Sequence, residues 1–487
     1  MVDTARQLAD LLAAMPVNMS GLISSQDLRD FLVSAMPTGR GAAKVVASAA
    51  ASDLRKAQAD YVCDGVADDV QINAAIAALP AGGGKVVLSE GTFNIAASIA
   101  LVSNLVLQGQ GIGVTVLNLV AAANVSVLSA SSKSNLALAD LTVDGNKANQ
   151  TSGTNNAINF TTCTEVNVSR IEVKNSYYEG LNFVTNCFNI WVRDCLLQAS
   201  TRSGLRVASS WFVTVSGNIS RLNTRHGIAL DAFCSQATVT GNVCQNNTMN
   251  GIHLETTHYG TTVAGNACLD NDENGINLNA SEAADIIEHI IVTGNVCFNS
   301  GDFGIRVRTS NATATIRDII VTGNACMEND RDQEGYQGIG LSAIASSTFD
   351  SVVVAGNRCG DRQGSPTQNH GLLIEAGATN ILVEGNNFLN NVTGGVSDLS
   401  TGGATFRNNL GYNPVGVLGP PAVPASTVAY TNAYGVDAQV FITGGTVTVI
   451  KIGSFTTGLT SGMFVVPAGQ TITITYSSVP TWTWYGL

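Results

Sequence analysis

The chain of 487 residues is poor in charged and aromatic side chains, which make up 12% and 6% of it. It has no run of about 18 consecutive apolar residues, so we expect no membrane-spanning helix. Its first ten residues, MVDTARQLAD, lack the apolar core of a secretory signal peptide. The 36 acidic residues outnumber the 24 basic ones, giving a net charge of −12. This charge disfavours a nucleic-acid partner, because the phosphates would be repelled.

What the sequence has in quantity is glycine, with 50 residues, and an internal repeat. Between Val215 and Asn386 a phrase of the form V-x-G-N occurs seven times, and its asparagines are 24 to 33 residues apart: Asn218, Asn242, Asn266, Asn295, Asn324, Asn357 and Asn386. The first six copies are each followed by a second phrase, such as HGIAL at 226–230 or NGIHL at 250–254. Self-similarity at a period of roughly 20 to 50 residues is typical of a solenoid.

Each period contains short β-branched runs that alternate between apolar and polar residues, separated by turn-forming residues. Since no helix fits between them, one period predicts one coil of a parallel β-helix, whose apolar face is covered by the next coil. We expect the Gly-Asn pair at a sharp bend that requires a positive φ. Stacked asparagine amides could also bond from coil to coil.

The ten cysteines are spread along the chain. Five of them follow a repeat asparagine by two residues, and the same parity predicts an inward column with a step of about 4.8 Å. These are Cys244, Cys268, Cys297, Cys326 and Cys359. One cysteine per coil does not give the compact spacing of a metal site. Buried reduced thiols are therefore expected, which agrees with folding in a reducing cytoplasm; disulfides between neighbouring coils are the alternative.

The repeat resembles the right-handed parallel β-helix of the pectate-lyase-like superfamily, which includes many phage tailspikes. The stretch CDGVADDVQINAAIAALPAGGGKVVLSEGTFNI at 63–95 is similar to the entry segment of that family, and the resemblance covers roughly residues 60 to 413. It implies a helix at about 68–79 that caps the first coil, and a homotrimer. It also implies location in a virion tail or outside the cell after lysis. No catalytic motif of the family is matched, so no catalytic residue is carried over.

The predicted fold is all-β, a right-handed parallel β-helix with short N-terminal helices and a small C-terminal β-domain. Residues 1–50 are expected to hold two helices, at 3–15 and 24–36, followed by a linker. The segment ISSQDLRDFLVS at 23–34 resembles N-terminal segments of phage tail proteins, which implies attachment to a phage tail or baseplate. The alternative is a helical hairpin that packs on its own trimer partners. The β-helix with its capping helix is expected over 51–416. Residues 417–487 are expected to form a β-module for trimerisation or glycan binding. Trp482 and Trp484 are predicted to lie on one face of the last strand of this module. Either they are buried in its core or in a trimer interface, or they stack on sugar rings.

The candidate catalytic residues lie on the strand formed by the second repeated phrase, of the HGIAL and NGIHL type. The Ile and Leu of this phrase are predicted to point inward. Asp231 and Glu255 occupy equivalent outward positions on adjacent coils, so their carboxylates should lie about 5 Å apart, facing water. At that distance one carboxyl should have a raised pKa and serve as an acid, with the other as nucleophile or base. The separation matches a retaining glycosidase. The alternative is a solvated sheet face with cross-strand ion pairs.

Further polar residues of the same face are predicted to bind substrate: His253, Arg306, Arg308, Arg206, Asn277, Asn279 and Glu375. The leading hypothesis is a tailspike-like protein that binds and depolymerises a cell-surface or extracellular polysaccharide as a glycoside hydrolase. A non-catalytic glycan-binding adhesin is the second hypothesis. The third is a uronate lyase, in which the arginines neutralise the sugar acid. No cofactor or metal ligand is assigned, although Asp270, Asp272 and Glu273 could bind Ca²⁺.

Overall fold

The structure is a computed structural model that describes most of the chain. The described residues are 42–400, 402–412, 416–419, 421–434 and 436–487. The helices expected at 3–15 and 24–36, and the attachment role given to them, lie outside these residues. Within the described part, no helix has the length and apolar character needed to cross a bilayer.

Thirty-nine parallel strands form three long sheets along a solenoid. Sheet A has sixteen strands: Ala43–Ala47, Tyr61–Val62, Gly84–Leu88, Leu105–Gln108, Ser134–Ala139, Thr164–Ser169, Phe188–Arg193, Trp211–Ser216, Cys234–Thr240, His258–Tyr259, Thr262–Ala264, Ile286–Thr293, Thr315–Thr322, Thr348–Ala355, Ala378–Glu384 and Ala404–Arg407. Sheet B has eleven: Gly91–Ile95, Thr115–Leu119, Thr142–Asp144, Glu172–Lys174, Leu196–Gln198, Ile219–Arg221, Val243–Gln245, Ala267–Leu269, Val296–Phe298, Ala325–Met327 and Arg358–Gly360. Sheet C has twelve: Ile99–Ala100, Leu128–Ser131, Ile158–Thr161, Leu181–Val184, Leu205–Ala208, Ile228–Asp231, Ile252–Glu255, Ile276–Ala280, Ile305–Thr309, Gln337–Ser342, His370–Ile374 and Gly394–Asp398. The predicted parallel β-helix is confirmed.

Successive coils stack in register, so each interior position forms a column of like side chains. On sheet C, Leu230, Leu254 and Leu278 are mutual neighbours and are fully buried. Burying one such side chain stabilises the fold by about 1.5–3 kcal/mol. Because each coil supplies the cover for the next, the core is continuous along the solenoid.

The repeated Gly-Asn pair forms the bend between sheets A and B. The seven glycines have φ between +62° and +67°, a region that residues with a Cβ rarely adopt. The asparagines do not share this conformation and contribute their side chains instead. Each Nδ2 donates to Oδ1 of the asparagine in the next coil at 2.9–3.0 Å and to a backbone carbonyl of the preceding coil, from Asn218 to Asn386. The predicted coil-to-coil amide ladder is confirmed.

The five repeat cysteines also form the predicted inward column. Each is the register partner of the next on sheet B, from Cys244 to Cys359. All ten cysteines are buried and free of disulfide bonds. Burial raises the pKa of Cys234 to about 12, which keeps that thiol protonated.

Two α-helices lie at the N-terminal end of the described residues: α1 at Asp53–Gln58 and α2 at Asp69–Ala77. Ile72, Ala75 and Ile76 of α2 belong to the solenoid core, so α2 is the predicted cap. Asp68, before α2, does not cap it with its side chain; its carboxylate accepts from the backbone amides of Gly65 and Asn94. A 3₁₀ turn lies at Lys147–Asn149.

The prediction of a linker over 37–50 is wrong for its second half. Ala43–Ala47 is a strand of sheet A that pairs in parallel with Gly84–Leu88. The small residues around it suggested flexibility, but the β-branched pair Val45-Val46 fits a half-buried strand next to the edge of the sheet, with Val46 fully buried. The solenoid therefore begins before residue 51.

The C-terminal residues form two antiparallel sheets. One contains Gly416–Leu418, Ala438–Thr443, Gly462–Val466 and Thr481–Gly486; the other contains Ala429–Thr431, Thr446–Ile452, Phe455–Thr456 and Thr471–Ser478. Trp482 and Trp484 are 5% and 0% exposed and lie in a common core. Trp482 donates its indole N–H to the carbonyl of Pro421 at 2.8 Å. Both rings therefore pack inside the module, and neither presents a face for stacking on sugar.

Candidate functional site

The strands of sheet C carry the polar residues that the repeat pattern predicted. Register pairs run along one column through Arg206, Ala229, His253, Asn277, Arg306 and Gly340. The second column has two parts. In one, Ala208 pairs with Asp231. In the other, successive register pairs run from Glu255 through Asn279 and Arg308 to Ser342. The alternate residues of these strands, such as Ile228 and Leu230, fill the core. The sequence spacing therefore predicted these pairs correctly, whereas the register between Ile228–Asp231 and Ile252–Glu255 ends at Leu230 and Leu254, one residue before the two carboxylates.

The expectation that this face is open to water is wrong for its central part. Asp231, His253, Asn277 and Asn279 are 7%, 4%, 2% and 4% exposed. These side chains contact one another and residues of the entering turns instead of solvent. Glu255, at 28% side-chain exposure, is the more accessible of the two carboxylates.

Asp231 is held by an arginine from the preceding coil. Arg206 Nε donates to Asp231 Oδ2 at 2.8 Å, and both side chains are mostly buried. Asp231 Oδ1 is buried and has no hydrogen-bond partner among the described residues. A buried carboxylate oxygen without a partner is costly and calls for a physical explanation.

Glu255 pairs with a histidine of its own strand. His253 Nε2 lies 3.4 Å from Glu255 Oε2, since residues two apart in a strand share a face. The hydrogen bond and charge of His253 lower the pKa of Glu255 to about 2, against the opposing effect of burial. The expectation of a raised carboxyl pKa therefore fails at Glu255, which is ionised and cannot act as a general acid near neutral pH.

A second histidine lies against the first. The rings of His226 and His253 stack with centroids 4.3 Å apart. Burial, followed by the charge of His253, lowers the pKa of His226 well below its usual value. The backbone amide of Asn250 donates to Nδ1 of His226 at 3.3 Å. The side-chain Nδ2 of Asn250 lies 3.2 Å from the same ring nitrogen.

Asp231, His253 and Glu255 converge: one ligand atom from each lies within 4.8 Å of the other two. They are the one group of three or more potential metal ligands that the described residues bring together. The Ca²⁺ trio considered from the sequence does not converge. Asp270 accepts from Asn299 at 2.7 Å, Asp272 pairs with Arg331 at 2.8 Å, and Glu273 accepts from Asn250.

Arg306 and Arg308 lie side by side on the strand Ile305–Thr309. Arg306 stacks over the ring of Phe303 at 4.8 Å, and its Nε is buried without a hydrogen-bond partner in the described structure. Burial and the charge of Arg308 lower the pKa of Arg306. Arg308 Nε donates to Asn279 Oδ1 at 3.1 Å. No carboxylate among the described residues is within ion-pair distance of either guanidinium group.

Sequence reasoning missed Asp302, in the turn that enters the same strand. Burial, and then the charge of Glu273, raise the pKa of this carboxyl to about 6, although Arg306 opposes the shift. A carboxyl group with such a pKa can donate and accept a proton near neutral pH. The signal was present in the turn sequence NSGDF, but an acidic turn residue is usually solvated. Next to Asp302, the ring of Phe303 packs against Tyr336 from the next, longer coil, with ring centroids 5.0 Å apart.

The other predicted substrate-binding residues are spread over the face. Asn277 Nδ2 lies 3.3 Å from Nδ1 of His253, so Asn277 belongs to the central group. Glu375 lies beyond Ser342 on the far side of the arginines, close enough that its charge affects the pKa of Arg306. The structure thus brings Arg206 to Arg308 together over five neighbouring strands and leaves Glu375 at one end.

Part of the chain is similar to a family model and to a curated protein. The family model described as "Periplasmic copper-binding protein (NosD)" matches residues 118–288. A mannuronan C5-epimerase, AlgE6 of Azotobacter vinelandii, is 31% identical over 185 residues, which cover 34% of this chain and 21% of that protein. The chain thus spans about a fifth of this curated relative.

Two solved structures have similar folds. The A-module of the Azotobacter vinelandii mannuronan C-5 epimerase AlgE4 has a TM-score of 0.57 at 20% identity, covering 72% of this chain and 95% of that one. The Dettilon tailspike protein has a TM-score of 0.58 at 14% identity, covering 90% and 93%. What the chain shares with these two structures is the parallel β-helix fold.

Proposed function

We propose that this protein binds an acidic polysaccharide along the outer face of sheet C and acts on it chemically. The observation that carries the proposal is the pair Arg306 and Arg308, two guanidinium groups on one strand without a carboxylate partner among the described residues. Residues two apart in a strand are separated by roughly 7 Å. An unpaired pair of like charges is unexpected in a chain with a net charge of −12.

A sugar carboxylate would resolve this arrangement. Two partly buried cations at this distance repel each other, and an anion between them removes the repulsion and the desolvation cost. Guanidinium groups suit planar carboxylates because they can donate two parallel hydrogen bonds. The likeness to a mannuronan epimerase and to a tailspike protein agrees with a polysaccharide as the ligand.

The chemistry we propose is proton transfer at the carbon next to the bound carboxylate. Neutralising the carboxylate by arginine makes the neighbouring C–H more acidic, and a positioned base removes the proton. Asp302, beside Arg306 and with a pKa of about 6, is suited to that exchange. Elimination by a lyase and inversion by an epimerase both begin with this step.

Glycoside hydrolysis is the second candidate reaction, because the carboxylates of Asp231 and Glu255 have the short separation of a retaining enzyme. With its pKa of about 2, Glu255 would act as nucleophile or base. Another group, such as Asp302, would have to supply the proton. A non-catalytic adhesin would use the same arginines and convert nothing.

Binding to a uronic-acid polymer and to a neutral glucan, measured at several salt concentrations, tests the ligand class. We expect the uronic-acid polymer alone to bind, and Arg306→Gln and Arg308→Gln each to weaken binding about tenfold, which is roughly 1.4 kcal/mol. Arg317→Gln is the matched control, because that arginine lies on sheet A and pairs with Glu288. Equal binding of both polymers, or equal loss in the control, would contradict the proposal.

Product analysis separates the reactions. New ultraviolet absorbance from double bonds identifies elimination, a changed ratio of sugar epimers at constant chain length identifies inversion, and shortened chains without double bonds identify hydrolysis. Loss of turnover in Asp302→Asn supports proton transfer, whereas loss in Glu255→Gln alone would support hydrolysis. Binding without any product would leave the adhesin.

We also propose that the protein is a homotrimer with a tailspike role, attached to a phage tail or baseplate. The tailspike likeness extends over most of the chain. An apolar column of Ile291, Ile320, Val353 and Leu382 runs in register on the outer face of sheet A. It lines part of a groove of about 740 Å³ and suits contact with a second copy. Light scattering should give a trimer mass that Ile320→Glu lowers; a monomer mass for the wild type would contradict this.

A further inference from the structure

We propose that Asp231, His253 and Glu255 bind one divalent transition-metal ion. The three ligand atoms lie within 4.8 Å of one another. The residues lie on the adjacent strands Ile228–Asp231 and Ile252–Glu255, in which His253 is the register partner of Ala229 and the two carboxylates are the last residues. The proposal concerns metal binding by the protein alone and does not depend on the polysaccharide.

The first argument is the distribution of hydrogen bonds around Asp231. Arg206 occupies Oδ2, while Oδ1 is buried and has no partner among the described residues. The residue is 7% exposed, so water does not readily replace the missing partner. A buried carboxylate oxygen without a partner destabilises the folded state, and a cation at Oδ1 would remove that cost.

The second argument is the distance between the other two ligands. His253 Nε2 and Glu255 Oε2 are 3.4 Å apart, which is long for a hydrogen bond. Two ligands of a tetrahedral ion with bonds of about 2.0–2.2 Å are also separated by roughly 3.4 Å. The pair can therefore accept an ion with little movement of either side chain.

The third argument is the state of the histidine ring. A metal at Nε2 requires the proton on Nδ1, and that N–H needs an acceptor. Asn277 lies 3.3 Å away through Nδ2, and its Oδ1 is buried without a partner in the described structure. Rotating this amide by half a turn places Oδ1 against Nδ1–H and satisfies both atoms. The amide of Asn277 is thus positioned to hold the metal-binding tautomer.

The ligand set selects the class of ion. One imidazole nitrogen and two carboxylate oxygens suit Zn²⁺ or Mn²⁺, whereas Ca²⁺ takes six to eight oxygen ligands. Glu255, with 28% of its side chain exposed, gives the ion access from solvent. Water would complete the coordination on that side.

Calorimetric titration of chelator-treated protein with Zn²⁺ tests the site. We expect one ion per chain in the wild type and at least tenfold weaker binding in Asp231→Asn, His253→Gln and Glu255→Gln. The control is His289→Gln, because His289 lies near Glu288 and Asp318 on sheet A but is exposed. Wild-type affinity in the three site variants, or no binding by the wild type, would overturn the proposal.

Two further measurements keep the test decisive if a buried variant misfolds. Anomalous scattering from wild-type crystals soaked in Zn²⁺ should place the ion between the three side chains; a peak at the cysteine column instead would refute the site. The absorption spectrum of the Co²⁺ form should show nitrogen and oxygen ligands, and thiolate bands would refute it equally. Polysaccharide binding is measured separately on metal-free protein, so the two proposals can fail independently.

Discussion

Replacing Asp302 by asparagine should stabilise the protein at neutral pH and leave its stability unchanged in acid. Folding raises the pKa of this carboxyl from 3.8 to about 6 because burial disfavours its charged form. The folded state therefore loses stability as the pH rises from about 4 to about 6, and the loss is complete above that range. Asparagine has a similar shape and no charge, so the variant does not carry this penalty.

The magnitude follows from the shift. A difference of about two pKa units corresponds to just under 3 kcal/mol at 1.36 kcal/mol per unit. Because Asp302 is only half-buried, solvent screens part of this free energy, and we expect a gain of about 1–1.5 kcal/mol at pH 7 to 8. Near pH 3.5, where aspartate is protonated in both states, the gain should disappear.

Urea unfolding followed by circular dichroism between pH 3.5 and 8 measures this difference. Asp194→Asn is the control, since Asp194 is exposed and directly follows the strand Phe188–Arg193 of sheet A. The free energy of unfolding of this variant should change with pH as it does in the wild type. A gain that is independent of pH, or a loss at pH 7, would refute the assignment of a buried, raised-pKa carboxyl. A stabilised variant without turnover would show that the penalty at Asp302 accompanies its function.

Three further predictions concern the solenoid. Asn266→Ala removes hydrogen bonds to Asn242, to Asn295 and to the carbonyl of Val239. Urea unfolding should show that the free energy of unfolding falls by roughly 3 kcal/mol or more. A loss under about 1 kcal/mol would contradict the stabilising role of the asparagine ladder. Gly275→Ala should destabilise the fold, because its Cβ would lie 2.6 Å from the carbonyl oxygen of Gly304, whereas Gly364→Ala, with open space around it, should be neutral in thermal unfolding. The ten buried thiols should react with a thiol reagent only after denaturation; rapid labelling of the native protein would mean that the cysteine column opens.

The repeat was sufficient to predict the coil, the amide ladder and the two polar columns. Side chains alternate between the two faces of a strand, and in an in-register stack each residue has a fixed neighbour on the next coil. Sequence spacing therefore predicts which face a residue lies on and which residue lies beside it. The strand at Ala43–Ala47 was missed because its small flanking residues resemble a linker. It is identified only by pairing with a strand about forty residues later.

The properties of the site depended on contacts that spacing does not reveal. The pKa of Glu255 is set by His253, on the same strand but in the other column. The pKa of Asp302 is set by burial within a turn and by Glu273 of the preceding coil. The first depends on a contact within one strand and the second on side-chain packing between turns, and residue type alone predicts neither.

The cap formed by α2 has a consequence for how the protein is handled. An uncovered first coil would present unpaired backbone amides beside an apolar interior, a template onto which another molecule could add its own strands. Ile72 and Ile76 of α2 belong to the solenoid core, so α2 covers that opening and protects it from such addition. A shortened version that starts after Ala77 should therefore precipitate or form filaments, so expression for structural work should retain the residues before Gly84.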